Sequence, residues 1–234
     1  MTQDHQDNSA PSTEASKAGK PQKRPFVKIC GISEPKALDC AVQAGARFLG
    51  FVFYPPSPRH VSFDTAWTLA QSVPTGVRSV GLFVNPDDAL LERALTGIQL
   101  DMIQLHGDET PGRIATIKAR YAMPIIKAIR LGQADDLRDI EGYESAADWL
   151  LFDAKPQNAA LPGGTGESFD WNLLKNRSFK KPWMLSGGLN ADNVAKALQT
   201  LSPDALDVSS GVESTKGVKD CDKIRAFLHA VKQA

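Results

Sequence analysis

The chain of 234 residues contains no apolar run of about 18 residues, which argues against a membrane-spanning helix. It also has no net charge, because 27 Lys and Arg stand against 27 Asp and Glu. A balanced chain offers no broad footprint for nucleic acid or for an anionic membrane, so any anion site must be local. Cysteine is scarce. Cys30, Cys40 and Cys221 lie far apart and form no paired motif. That spacing fits a reducing, cytoplasmic compartment and neither a disulfide framework nor a zinc site. Residues 1–25 have no aromatic or branched apolar side chains. Such a segment buries too little surface to offset its ordering entropy, so a disordered tail is expected there. Its lack of an apolar stretch argues against a secretory signal, and Asp4, Asp7 and Glu14 argue against a transit peptide.

What remains, residues 26–234, reads as one domain of ordinary composition, with 42% hydrophobic and 23% charged residues overall. Two patterns alternate in it. Eight short apolar runs have strand length: Phe26–Ile32, Phe48–Phe53, Val77–Val84, Met102–His106, Ile125–Arg130, Trp149–Ala154, Trp183–Gly187 and Ala205–Ser210. Amphipathic stretches separate them and carry helix-entry signals, at Ser33-Glu34-Pro35, Ser62-Phe63-Asp64, Asn85-Pro86-Asp87, Glu109-Thr110-Pro111 and Asn190-Ala191-Asp192. Strand and helix in alternation give a parallel sheet, and continuous apolar strands mean burial on both faces. A closed (β/α)8 barrel usually needs about 250 residues, with about 200 as its compact limit, so this chain fits a small TIM barrel. An open doubly wound sheet is the competitor. Even repeat lengths and the lack of a Gly-rich fingerprint after the first run favour the barrel.

In such a barrel the active-site groups lie where strands end. The first run ends Lys28-Ile29-Cys30, and alternation puts Lys28 and Cys30 on one face. A nearby ammonium and a helix N-terminus would lower a thiol pKa from about 8.5. The competing role for Cys30 is that of a small buried apolar residue, and Cys40 and Cys221, in helical stretches, are read that way. Asp153 closes the sixth run and is costly there unless it faces a polar mouth. A helix cap or an ion pair with Lys155 is its alternative. Gln104 and His106 share a face at the fourth run, with His106 at the rim as a binding group or a structural histidine. Arg59 follows three prolines in the second loop and is a permanently charged planar donor for a carboxylate, or else an ordinary surface arginine. Ser186-Gly187-Gly188 and Asp207-Val208-Ser209-Ser210-Gly211 follow the seventh and eighth runs, where barrels bind phosphate through backbone N–H groups. Gly163-Gly164-Thr165-Gly166 could join that cradle or close over it. Residues alone therefore point to a small barrel enzyme for a phosphorylated substrate, with a Cys/Asp pair opposite a phosphate cradle and no need of a metal.

Taken in order, the segments resemble phosphoribosylanthranilate isomerase of tryptophan biosynthesis. They are Val27–Ile32, Gly50–Pro55 with Ser57-Pro58-Arg59, Val80–Asn85, Gln104–Gly107, Leu151–Asp153, Gly163–Gly166 with Phe169-Asp170-Trp171, Leu185–Leu189 and Asp207–Glu213. The resemblance implies an Amadori rearrangement of N-(5-phosphoribosyl)anthranilate to 1-(2-carboxyphenylamino)-1-deoxyribulose 5-phosphate, without a cofactor. It makes Cys30 the base and Asp153 the acid, which needs an ionised thiol and a neutral carboxyl at once. It gives Arg59 the anthranilate carboxylate, and Gly187, Gly188, Ser209 and Ser210 the phosphate. Asp207 would bind sugar hydroxyls or support the site, and Lys28 and His106 are further substrate-binding candidates. Two rivals remain. One is another ribose-phosphate barrel isomerase, which typically works with two aspartates; the other is a non-catalytic phosphate-binding barrel. Monomer and homodimer both stay open.

Overall fold

The computed structural model describes residues 24–155 and 168–234. Eight parallel strands form a closed barrel: β1 (Phe26–Cys30), β2 (Phe48–Val52), β3 (Arg78–Phe83), β4 (Met102–Leu105), β5 (Ile125–Leu131), β6 (Trp149–Ala154), β7 (Trp183–Leu185) and β8 (Ala205–Val208). Each corresponds to one of the apolar runs. The ring closes where β1 pairs with β8, in a register that sets Lys28 beside Asp207. On its other side β1 sets Cys30 beside Gly50 of β2.

Alternation divides the side chains into two cores. Ile29, Leu49, Phe51, Ile103, Ile129, Phe152, Leu185 and Leu206 face outward and pack in one cluster with the helices. Phe48, Val80, Met102, Ile126, Leu151, Met184 and Ala205 fill the barrel interior. Above them Cys30, Val52 and Leu82 form a smaller apolar group near the mouth. The expected outward packing of Ile29 therefore holds, and Lys28 and Cys30 point inward.

Among the described residues seven helices surround the strands: α1 (Pro35–Ala44), α2 (Phe63–Gln71), α3 (Asp88–Gly97), α4 (Pro111–Tyr121), α5 (Ile140–Ala146), α6 (Val194–Thr200) and α7 (Cys221–Gln233). Ser62, Asp87 and Thr110 cap α2, α3 and α4 through their side chains; at α3 the cap is the last residue of the entry signal, Asp87, and not the first, Asn85. The Asn190 signal is displaced. Its carboxamide accepts from the N–H groups of Asp192 and Asn193, forming a turn, and α6 begins only at Val194. The regular alternation is also not seen after β6 in the part of that connection that is described. Among the described residues, that connection holds only a short 3-10 turn, Trp171–Leu173. An unforeseen hairpin follows β8, made of β9 (Glu213–Thr215) and β10 (Val218–Lys219). The proposed tail and the Gly163–Gly166 cluster lie outside the described residues, apart from Arg24 and Pro25.

One expectation is overturned. Cys40 of α1 and Cys221 of α7 form a disulfide, with Cα atoms 5.6 Å apart across a sequence separation of 181. Spacing concealed the pair because closure of the ring makes the first and last helices neighbours. The bond ties the helix that follows Cys30 to the helix that follows the hairpin. By restricting the unfolded chain, a cross-link over so long a loop contributes about 2–4 kcal/mol. We expect Cys40→Ser to lower the melting temperature by about 5–10 °C relative to the oxidised protein. The same Tm for both in calorimetry would remove the staple from the stability account. Among the described residues no helix is long and apolar enough to cross a membrane.

Candidate active site

The C-terminal ends of the strands bring the chemistry-bearing groups to one rim. Cys30 ends β1, His106 follows β4, Asp153 stands one residue before the end of β6, and Ser186 follows β7. Ser209 follows β8. Cys30 and Asp153 are each 5% exposed. Gly50 makes room for the thiol. A Cβ there would lie 3.1 Å from both the Cys30 sulfur and the Lys28 ammonium.

On the Cys30 side, Lys28 is fully buried and donates to Asp207 Oδ1 at 2.9 Å. Burial opposes its charge, but Asp207 and Cys30 outweigh that effect and raise the ammonium pKa. Ser186 Oγ donates to the other Asp207 oxygen at 3.3 Å. Asp207 thus joins β1, β7 and β8. The thiol departs from expectation. Burial pushes Cys30 up, with a contribution from Asp207, against the opposite pull of Lys28 and Lys219. The expected lowering overlooked desolvation, and α1 starts five residues later, at Pro35, with Glu34 at the cap position making no side-chain capping bond.

Lys219 is one group that sequence reasoning missed. Its Nζ donates to Ser209 O at 3.0 Å, to Ser209 Oγ at 3.1 Å and to Glu213 Oε1 at 2.7 Å. Ser209 Oγ in turn donates to the Cys30 carbonyl at 3.0 Å. Burial pulls the Lys219 ammonium down, against Glu213. Glu213 also holds Arg59 in a two-point grip, 2.7 Å to Nε and 2.9 Å to Nη2. Burial opposes the Glu213 charge, but Arg59 and Lys219 outweigh it and hold the carboxyl below its usual range. No local motif marks Lys219. Only the hairpin turn brings it back, through Gly217 at φ +90°, where a Cβ would meet the Pro58 carbonyl at 2.6 Å. Arg59 is therefore a buried, oriented arginine, in contrast to an ordinary surface one.

On the Asp153 side, Oδ2 lies 3.1 Å from His106 Nε2, and Oδ1 accepts from the Ala154 N–H at 2.9 Å. No ion pair joins Asp153 to Lys155, which pairs with Asp136. Behind His106, Glu109 accepts from the N–H groups of Gly107 and Asn85 and pairs with Lys127 at 2.6 Å. Lys127 also donates to the Gly107 carbonyl at 2.7 Å. This buried pair fixes both sides of the residue after His106. Sequence reading missed it because Lys127 occupies the outward face of an apolar strand.

The turn after β7 carries Gly187 and Gly188 with φ of +86° and +63°. A Cβ on Gly187 would fall 2.7 Å from the Ala154 nitrogen, so the close approach requires glycine. Asn193 donates to the Gly188 carbonyl at 2.8 Å and holds the turn. Ser210 begins a 3-10 turn beside it, Ser210–Val212.

The family model for N-(5'-phosphoribosyl)anthranilate isomerase matches residues 27–230. The chain belongs to the phosphoribosylanthranilate isomerase family. It is an enzyme, and the family works in tryptophan biosynthesis. It is 54% identical over 203 residues to the N-(5'-phosphoribosyl)anthranilate isomerase of Paracoccus denitrificans, covering 86% of this chain and 94% of that one. Among solved structures, the phosphoribosyl anthranilate isomerase of Thermotoga maritima superposes with a TM-score of 0.81 at 34% identity, covering 90% of this chain and all of that one. A second phosphoribosyl anthranilate isomerase structure, in complex with reduced 1-(o-carboxyphenylamino)-1-deoxyribulose 5-phosphate, has a TM-score of 0.77 at 34% identity over the same shares.

Cys40 and Cys221 are bonded, which leaves Cys30 as the one free thiol. Its alkylation by iodoacetamide, followed by mass against pH, is expected to titrate above the about 8.5 of free cysteine. Lys219→Met removes one of the two cations that pull it down and is expected to move the midpoint further up. A midpoint at or below free cysteine would contradict the dominance of burial.

Proposed function

We propose that this barrel catalyses the Amadori rearrangement of N-(5-phosphoribosyl)anthranilate by general acid–base chemistry, with Asp153 as acid and Cys30 as base. The observation that carries this assignment is the burial of both groups, on the inner face of one rim, each beside a partner suited to its task. Asp153 gives a proton to the furanose ring oxygen. The C1–O bond breaks with its electron pair going to that oxygen, and C1 becomes an iminium carbon. The Cys30 thiolate then takes the proton from C2, giving an enolamine. Cys30 then gives the proton it took to C1 while the Asp153 carboxylate takes the enol proton and C2 becomes a ketone, so both groups are restored and the isomerisation consumes no protons overall. The new iminium charge adds to the pull of Lys28 and Lys219 and favours the thiolate at the step that uses it.

The remaining roles follow from position. The Gly187-Gly188 turn and the backbone at Ser209 and Ser210 form the phosphate cradle, where N–H groups and the absence of side chains suit an anion. Arg59, aligned by Glu213, supplies the fixed positive charge for the anthranilate carboxylate. Asp207 and Lys28 support the base, and His106 supports the acid. The partner is thus a small phosphorylated substrate. Every assigned group comes from one chain, so monomer and homodimer serve equally.

The test is turnover of phosphoribosylanthranilate by purified protein, followed through loss of its fluorescence. Wild type is expected to consume it. Cys30→Ser and Asp153→Asn should each lower kcat at least about a hundredfold, the usual scale for a general acid or base. An inactive wild type would sink the reaction, while two near-fully active variants would sink the assignment of roles.

A further inference from the structure

The hydrogen bonds behind Asp153 leave one group without a partner. Gln104 Nε2 donates to His106 Nδ1 at 2.9 Å. That leaves the ring proton on Nε2, which donates to Asp153 Oδ2 at 3.1 Å. Gln104 is fully buried, and among the described residues its Oε1 has no hydrogen-bond partner. A buried orphan acceptor of this kind is costly and calls for an explanation.

The orphan has a use when one more proton enters. A half-turn of the Gln104 amide exchanges Oε1 for Nε2. Oε1 then accepts from His106 Nδ1–H, and the added proton lies between His106 Nε2 and Asp153 Oδ2. In this loaded state the pair holds two protons, one on Nδ1 and one shared. In the discharged state it holds one, on Nε2, and the amide stands as the structure has it. We propose that Gln104 and His106 are positioning residues that store the proton Asp153 delivers, with the Gln104 amide turning to match the loaded and discharged states. This rests on the role of Asp153 as acid and deepens it. When Asp153 gives its proton to the ring oxygen, the O–H bond of the carboxyl breaks and a new O–H bond forms on the sugar. During this transfer the ring keeps its Nδ1 proton on Gln104 Oε1, and the carboxylate left behind takes up the enol proton of the last step, which reloads the pair; loss of the stored proton to solvent gives the discharged state of the structure.

The charged neighbours have partners of their own. Arg130, beside Asp153 in the β5–β6 register, pairs with Asp108. Lys155 pairs with Asp136, and Glu109 with Lys127 behind Gly107. On the β1–β8 side of the rim, Lys28 pairs with Asp207 next to Cys30. Gln104 is neutral and is the one described hydrogen-bond partner of His106 Nδ1.

The test is the dependence of kcat on pH in the whole enzyme. The loaded pair is the active form, so kcat falls as rising pH discharges it. Gln104→Leu removes the acceptor for Nδ1–H and is expected to move that alkaline limb down by about one pH unit, and Gln104→Glu, an anionic acceptor, to move it up by a similar amount. KM should stay within about twofold in both. Limbs that stay in place, or move in the same direction, would overturn the relay, even where kcat falls. Nitrogen-15 NMR of wild type serves if a variant does not fold. His106 is expected as the Nε2–H tautomer at high pH, with Nδ1 gaining a proton across the kcat limb. A proton on Nδ1 at high pH, or no change there, would overturn it as well. Turnover by wild type and its loss in Asp153→Asn test the underlying reaction separately.

Discussion

Lys28 carries its ammonium into the closed barrel without contact with solvent, and Asp207 is the group that makes this tolerable. An unpaired charge there would face a desolvation cost of several kcal/mol, of the order seen when one partner of a buried pair is removed. The pair also spans the seam that closes the ring, since Lys28 and Asp207 are register partners of β1 and β8. Closure, the position of Cys30 two residues along β1, and the position of Ser209 two residues along β8 all depend on the same contact.

The two halves of the rim are built from different materials. Around Cys30 the protein sets cations, Lys28 and Lys219, against the desolvation that favours the thiol. Lys219 reaches this place through Ser209, whose hydroxyl links it to the Cys30 carbonyl. Around Asp153 the immediate side-chain partner is a histidine backed by a neutral amide. A base needs nearby positive charge to ionise. An acid needs a partner that can hold its proton without repelling it. The two groups thus meet different environments across one mouth, cations set against desolvation at Cys30 and a histidine backed by a neutral amide at Asp153.

Much of this was legible in the sequence because it follows from local rules. The eight strands announce themselves as apolar runs, and two-residue alternation places Lys28 with Cys30 and Gln104 with His106. The caps at Ser62, Asp87 and Thr110 are written in residue type. What was not legible depends on closure. The Cys40–Cys221 bond joins residues that are neighbours only because the first and last helices of a ring touch. The Arg59–Glu213–Lys219 cluster joins a loop after β2 to a hairpin after β8, and no periodicity reports such a contact. The thiol was misjudged for a related reason. Neighbouring charges can be read from spacing, whereas the degree of desolvation is a property of the packed interior.

The central claim is that the Lys28–Asp207 pair is needed both to close the barrel and to support the base. A double-mutant cycle in denaturant with turnover measured in parallel tests it most directly. Lys28→Met alone is expected to cost about 3–5 kcal/mol, because Asp207 is left buried and unpaired, and Lys28→Met with Asp207→Asn should recover much of that loss while turnover stays low. A single variant as stable as wild type, or a double variant that regains full turnover, would contradict the claim.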